Sequence, residues 1–108
     1  MRYSVQALVE RSNGPLSLAA HGGFFAGSEL RRVDGNTYAT GQAYDEYLIP
    51  TELTQPWPVL MIHGGGSQGL DFLSTPDGRE GWAHAFARRG FAVYVLDRPG
   101  CGRASQHP

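Results

Sequence analysis

A single cysteine, few charges and no long apolar run set the first limits on this chain of 108 residues. With Cys101 alone, no disulfide can close within the chain, and the redox compartment stays open. Charged residues make up 18% and the net charge is -1. No basic surface therefore argues for nucleic acid, and no polybasic stretch for a membrane surface. No apolar run approaches the ~18 residues that a membrane helix needs. The opening stretch MRYSVQALVERSNG has no continuous apolar segment and carries Glu10 and Arg11 in its middle. It does not read as a signal peptide. These absences lead to the expectation of a soluble, cytoplasmic protein with at most one small domain and with no cofactor or metal.

What the chain does have is apolar residues and glycine. Apolar residues are 41%, enough for a core, and the 15 glycines are about twice the usual ~7% share. The most informative run is Pro58-Val59-Leu60-Met61-Ile62-His63-Gly64-Gly65-Gly66. Four apolar residues in a row read as a strand buried on both faces, as in a parallel sheet. The glycines then present backbone with no side chain on it. Such backbone can bring its N–H groups close to a reacting atom or a phosphate.

Around this run the organisation reads in order. Residues 16–49 contain His21-Gly22-Gly23, the turn dipeptide Asp34-Gly35 and three tyrosines, and are expected to form one antiparallel hairpin. Residues 50–58 are a polar, proline-bounded connection. Residues 64–78 form a loop long enough to suggest a function. Asp77 with Glu80 three residues on resembles a capping box. A helix over residues 80–89 is then expected, with Trp82, Ala83, Phe86 and Ala87 on its buried face. Arg88 and Arg89 suit the negative end of its dipole, and Gly90 suits its stop. Residues 91–96 form a second two-sided apolar strand, which ends at Asp97. Strand, helix and strand in this spacing make a βαβ unit with parallel strands. One helix cannot cover both faces of such strands, so a face or an edge is left open.

The glycine loop fits three patterns. As G-x-G-x-x-G (Gly64, Gly66, Gly69) it would bind a dinucleotide, which requires a helix opening at the loop. Residues 71–78, with Pro76, are expected to delay that helix. As G-x-S-x-G (Gly65, Ser67, Gly69) it would be a nucleophile elbow, yet Ser67 lies beyond the strand end in a long loop. Asp97 and His107 follow Ser67 in triad order. As H-G-G-G (His63 to Gly66) it would be an oxyanion loop, whose N–H groups stabilise a tetrahedral intermediate. A turn without chemistry is the plain alternative.

The motifs in sequence resemble the N-terminal part of an α/β-hydrolase, in a branch of bacterial and fungal esterases. The resemblance rests on His21-Gly-Gly-Phe-Phe-Ala-Gly27, His63-Gly-Gly-Gly66, Thr75-Pro-Asp-Gly-Arg-Glu-Gly-Trp82 and Val93-Tyr-Val-Leu-Asp-Arg-Pro-Gly100. It covers roughly residues 16–105. It implies an α/β fold, an incomplete hydrolase sheet in which an antiparallel hairpin precedes a βαβ unit. Residues 1–108 would then be the N-terminal portion of a single hydrolase domain. It implies oxyanion donors among Gly64, Gly65 and Gly66. Read from the residues, His63 is expected to brace the loop by hydrogen bonds rather than take part in proton transfer. In that family the nucleophile, acid and histidine come later, and none can be placed here; Arg103-Ala104-Ser105 also departs from the family's G-x-G-x-S loop.

The functional expectation is therefore part of a carboxylic ester hydrolase, inactive as an isolated chain because it holds no nucleophile. Its partners would be a small ester substrate and the remainder of the domain or a second chain, with no nucleic acid and no membrane. The alternatives are a non-catalytic module pairing through an open sheet edge, or nucleotide binding through the glycine loop. Asp97 is expected to fix the loop that follows it. His21 and His84 are expected to be structural or solvated, and Cys101 an exposed oxidation site.

Overall fold

The computed structural model describes residues 14–104. The stretch 1–13, Ser105 and His107 lie outside the described residues. Six strands and two short helices follow in order. They are β1 (Leu18–Ala26), β2 (Glu29–Val33), β3 (Asn36–Thr40), β4 (Ala43–Pro50), β5 (Val59–Ile62), α1 (Leu70–Leu73), α2 (Trp82–Arg88) and β6 (Val93–Asp97). A 3-10 turn, Gly102–Ala104, closes the described chain.

The main sheet has four strands in the order β1-β4-β6-β5. β5 and β6 are parallel neighbours, with Val59 opposite Val93 and Ile62 opposite Leu96. The βαβ expectation therefore holds, and Gly90 ends α2 at φ 92°. β4 is antiparallel to both β1 and β6.

The expected single hairpin is more elaborate. β1 and β4 do pair, but a separate two-stranded ribbon, β2–β3, is inserted between them. The Asp34-Gly35 turn belongs to this ribbon. Both residues take positive φ, 51° and 82°, which is the type I′ geometry that matches strand twist in a two-residue hairpin.

The core lies on one face of the main sheet. Leu48, Met61, Val93 and Val95 pack there against Ala83 and Ala87 of α2, with Phe72, Leu73, Phe86 and Phe91 around them. Alanines four apart on a helix let its backbone sit close to the sheet. Trp82, expected in the core, is 70% exposed. It is the first helical residue, and side chains there lean back past the helix start instead of over the sheet. The capping box is absent too. Gly81 is the N-cap, with no side-chain cap. Asp77 instead accepts from the Thr75 hydroxyl and the Arg79 guanidinium, while Glu80 pairs with Arg88 at 2.6 Å.

The reading of β5 as buried on both sides is corrected as well. Leu60 and Ile62 are 56% and 53% exposed. Strand residues alternate between faces, and α2 covers only the face of Met61.

Candidate active site

The candidate site lies at the carboxyl ends of the parallel strands β5 and β6. His63, Gly64, Gly65 and Gly66 leave β5 there, and Asp97 ends β6. His63 is 4% exposed. Its Nε2 accepts the Arg98 N–H at 3.0 Å, so its Nδ1 carries the hydrogen and donates to the Gly64 carbonyl at 2.8 Å. The imidazole thus spans the two loops with one tautomer, assigned from this network. The Gly64 carbonyl also accepts the Ser67 N–H at 3.3 Å.

This fixes the direction of one donor. In a trans planar peptide the C=O and the next N–H point opposite ways. With the Gly64 carbonyl turned toward His63 and Ser67, the Gly65 N–H points away from both. Among the described residues, the N–H groups of Gly64, Gly65 and Gly66 have no acceptor. A Cβ placed on any of the three would meet nothing within 4 Å. Only Gly66 takes a positive φ, 75°.

The far end of the loop is held by Asp97, which is 1% exposed. Its Oδ1 accepts the Gly69 N–H at 2.5 Å. Its Oδ2 accepts Arg103 Nε at 2.5 Å and the Arg103 N–H at 3.3 Å. Burial pushes the carboxyl pKa up, but the Gly69 N–H and the Arg103 guanidinium outweigh burial and hold it below the usual carboxylate range. Gly69 approaches so closely that a Cβ there would lie 2.9 Å from Asp97 Oδ1 and 3.0 Å from Val95 Cγ1. Asp97 fixes the loop after it, as expected, and also the glycine loop before α1.

Arg103 extends the network. Its Nη1 donates to Glu46 Oε1, its guanidinium lies 4.5 Å from the Tyr44 ring centroid, and Glu46 Oε2 is 2.7 Å from His21 Nε2. Sequence reasoning missed Arg103, Glu46 and Tyr44. Their only local signal was an arginine in the glycine-rich turn after an acidic strand end. His84, on α2, lies away from this site, 3.9 Å from Glu80. Cys101 is half-buried rather than exposed.

The alternative loop patterns can be read against this geometry. A helix does open at Gly69, which corrects the expectation that residues 71–78 delay it. That helix is a single turn, Leu70–Leu73. The Asp97 carboxylate already binds the Gly69 N–H at its start, so a negative charge occupies the end where a pyrophosphate would sit. Ser67 is half-buried in the turn closed on the Gly64 carbonyl, not at a strand-to-helix corner.

No family model matches the chain. It superposes on a bacterial esterase solved at atomic resolution with a TM-score of 0.77 and 35% identity, over 86% of this chain and 32% of the esterase. The chain has part of an α/β-hydrolase fold, of the esterase type. A second hydrolase relative is a probable secreted lipase phiG of a fungus (Fungal sp., strain ATCC 74256), 40% identical over 85 residues. That match covers 77% of this chain and 23% of the lipase. The chain thus spans about a third of the esterase's length and about a quarter of the lipase's.

Proposed function

We propose that this chain is the N-terminal portion of a serine hydrolase acting on small carboxylic esters, and that residues 1–108 contribute part of its single hydrolase domain. In this reading Gly64, Gly65 and Gly66 form the oxyanion loop and His63 braces it. The nucleophile comes from elsewhere in the complete enzyme. A serine Oγ attacks the acyl carbon and gives up its proton to a general base. The carbonyl oxygen becomes an oxyanion, which backbone N–H groups stabilise until the alcohol leaves.

The observation that carries the reading is the Gly64–Gly65 peptide. Its carbonyl is held by two donors, which leaves the Gly65 N–H free of protein acceptors and pointing the other way. Pre-aimed donors of this kind do not have to reorganise when charge develops. The ester substrate class is supported by the esterase and lipase relatives.

A second reading concerns partners. β5 is an edge strand, and the exposed Leu60 and Ile62 lie beside that edge. We take the occupant of this edge and face to be the remainder of the hydrolase domain, or a second chain that supplies it.

The test is Gly65→Val in the full-length enzyme. No neighbour opposes the new side chain, so the melting temperature should barely move. The side chain blocks the approach to the donors, and kcat should fall by about 10²–10³. A variant that keeps its kcat would leave these glycines as a turn only.

A further inference from the structure

We infer that the β2–β3 ribbon is a self-association arm, and that two copies of this chain join through the outer edges of β3. The inference goes beyond the hydrolase reading and does not depend on it.

The ribbon is anomalous as an isolated structure. Among the described residues it pairs with no other strand, both of its faces are open, and Leu30 is 80% exposed. A two-stranded hairpin on its own is marginal in water and gains stability from a third strand. Natural sheets guard free edges with charges, lysine or proline. The β3 sequence Asn36-Thr37-Tyr38-Ala39-Thr40 carries none of these.

The turn determines which groups face outward. In a two-residue type I′ hairpin the flanking residues, here Val33 and Asn36, form the hydrogen-bonded pair. Pairs then alternate along the register, Arg32 opposite Thr37, Arg31 opposite Tyr38, Leu30 opposite Ala39. Thr37 and Ala39 therefore turn their N–H and C=O groups away from β2, along the free edge. Two copies can join antiparallel only where outward residues meet outward residues. The register that engages both outward residues places Thr37 opposite Ala39 of the other copy, and Ala39 opposite its Thr37. It is centred on Tyr38, which meets its own counterpart in a non-hydrogen-bonded pair. The contact is isologous, and it sets two tyrosine rings side by side.

Charge selects β3 over β2. The same construction on the outer edge of β2 is centred on Arg31 and puts two guanidinium groups opposite each other, which is unfavourable. On β3 no charge is opposed. Four main-chain hydrogen bonds and one aromatic pair form a small contact, so the dimer is weak and reversible.

The test uses the full chain. Sedimentation over a concentration series up to roughly 1 mM, where weak contacts populate, should show a monomer–dimer equilibrium. Tyr38→Glu opposes two carboxylates across the axis, while Arg31 beside each of them supports the ribbon. Association should weaken about tenfold with unchanged thermal unfolding, and Tyr38→Phe should keep it. In a Cys101→Ser background, Tyr38→Cys should cross-link under mild oxidation, because facing residues of a non-hydrogen-bonded pair are within disulfide range. Leu30→Cys should not, since the two positions would be separated by three strand spacings, about 14 Å. A chain that stays monomeric without Tyr38→Cys cross-linking overturns the inference. So does association that Tyr38→Glu leaves intact, or equal cross-linking at both positions.

Discussion

The two faces of the main sheet treat neighbouring residues of the same strands in opposite ways. On the α2 face, Met61, Val93, Val95 and Leu48 are buried. On the other, Leu60 and Ile62 are more than half exposed, with Phe24 also open. The polar residues differ in the same sense. Asp97 shares the covered face with Val93 and Val95 and has every oxygen bonded. Asp45, opposite Leu96 in the register, is on the other face, buried with its Oδ1 unpartnered. Burial raises the Asp45 pKa, and the Arg103 charge offsets this only in part. Apolarity alone therefore does not say which residue is core. What lies over it does.

Substitutions can sharpen this contrast. Leu48→Ala on the covered face should cost roughly 2–5 kcal/mol in chemical denaturation, because it opens a cavity. Leu60→Ala one face away should cost within about 0.5 kcal/mol. Equal losses would mean that the open face is covered in solution.

The two aspartates give a contrast of sign. Asp97→Asn should cost roughly 1–3 kcal/mol at neutral pH. Because its folded pKa is depressed below the ordinary value of 3.8, that stabilisation is complete above 3.8 and is lost as pH falls through the lowered folded value. Asp45→Asn should stabilise at neutral pH, since it removes a charge that burial disfavours. Its advantage should fade as acid protonates the native Asp45 through its raised pKa. Denaturation midpoints for both variants across the acid range check the signs. The smallest effect is expected at Trp82→Ala, within about 0.5 kcal/mol, since the ring packs on little.

The parallel pair was legible because β5 and β6 are short apolar runs separated by a helix with a glycine stop. The ribbon was not. Glu29–Val33 and Asn36–Thr40 bury neither face, so they carry no period-two pattern to read. Trp82 misled because a large aromatic was assigned to the core by type, while its place at the first helical residue put it outside. The glycine loop and His63 were visible as a motif. The Asp97 contact with Gly69 was not, because it closes across 28 residues of sequence and leaves no local trace.

The anchoring of that loop also has an entropic consequence. His63 secures one end and Gly69 the other, so residues 64–68 bridge a fixed gap. Ordering a free residue costs about 1–2 kcal/mol of chain entropy. Here most of that cost falls on folding, when the two ends are tied down, and in the proposed oxyanion role little would be left for the moment charge develops. A loop tied at one end only would have to lose that freedom again at each encounter.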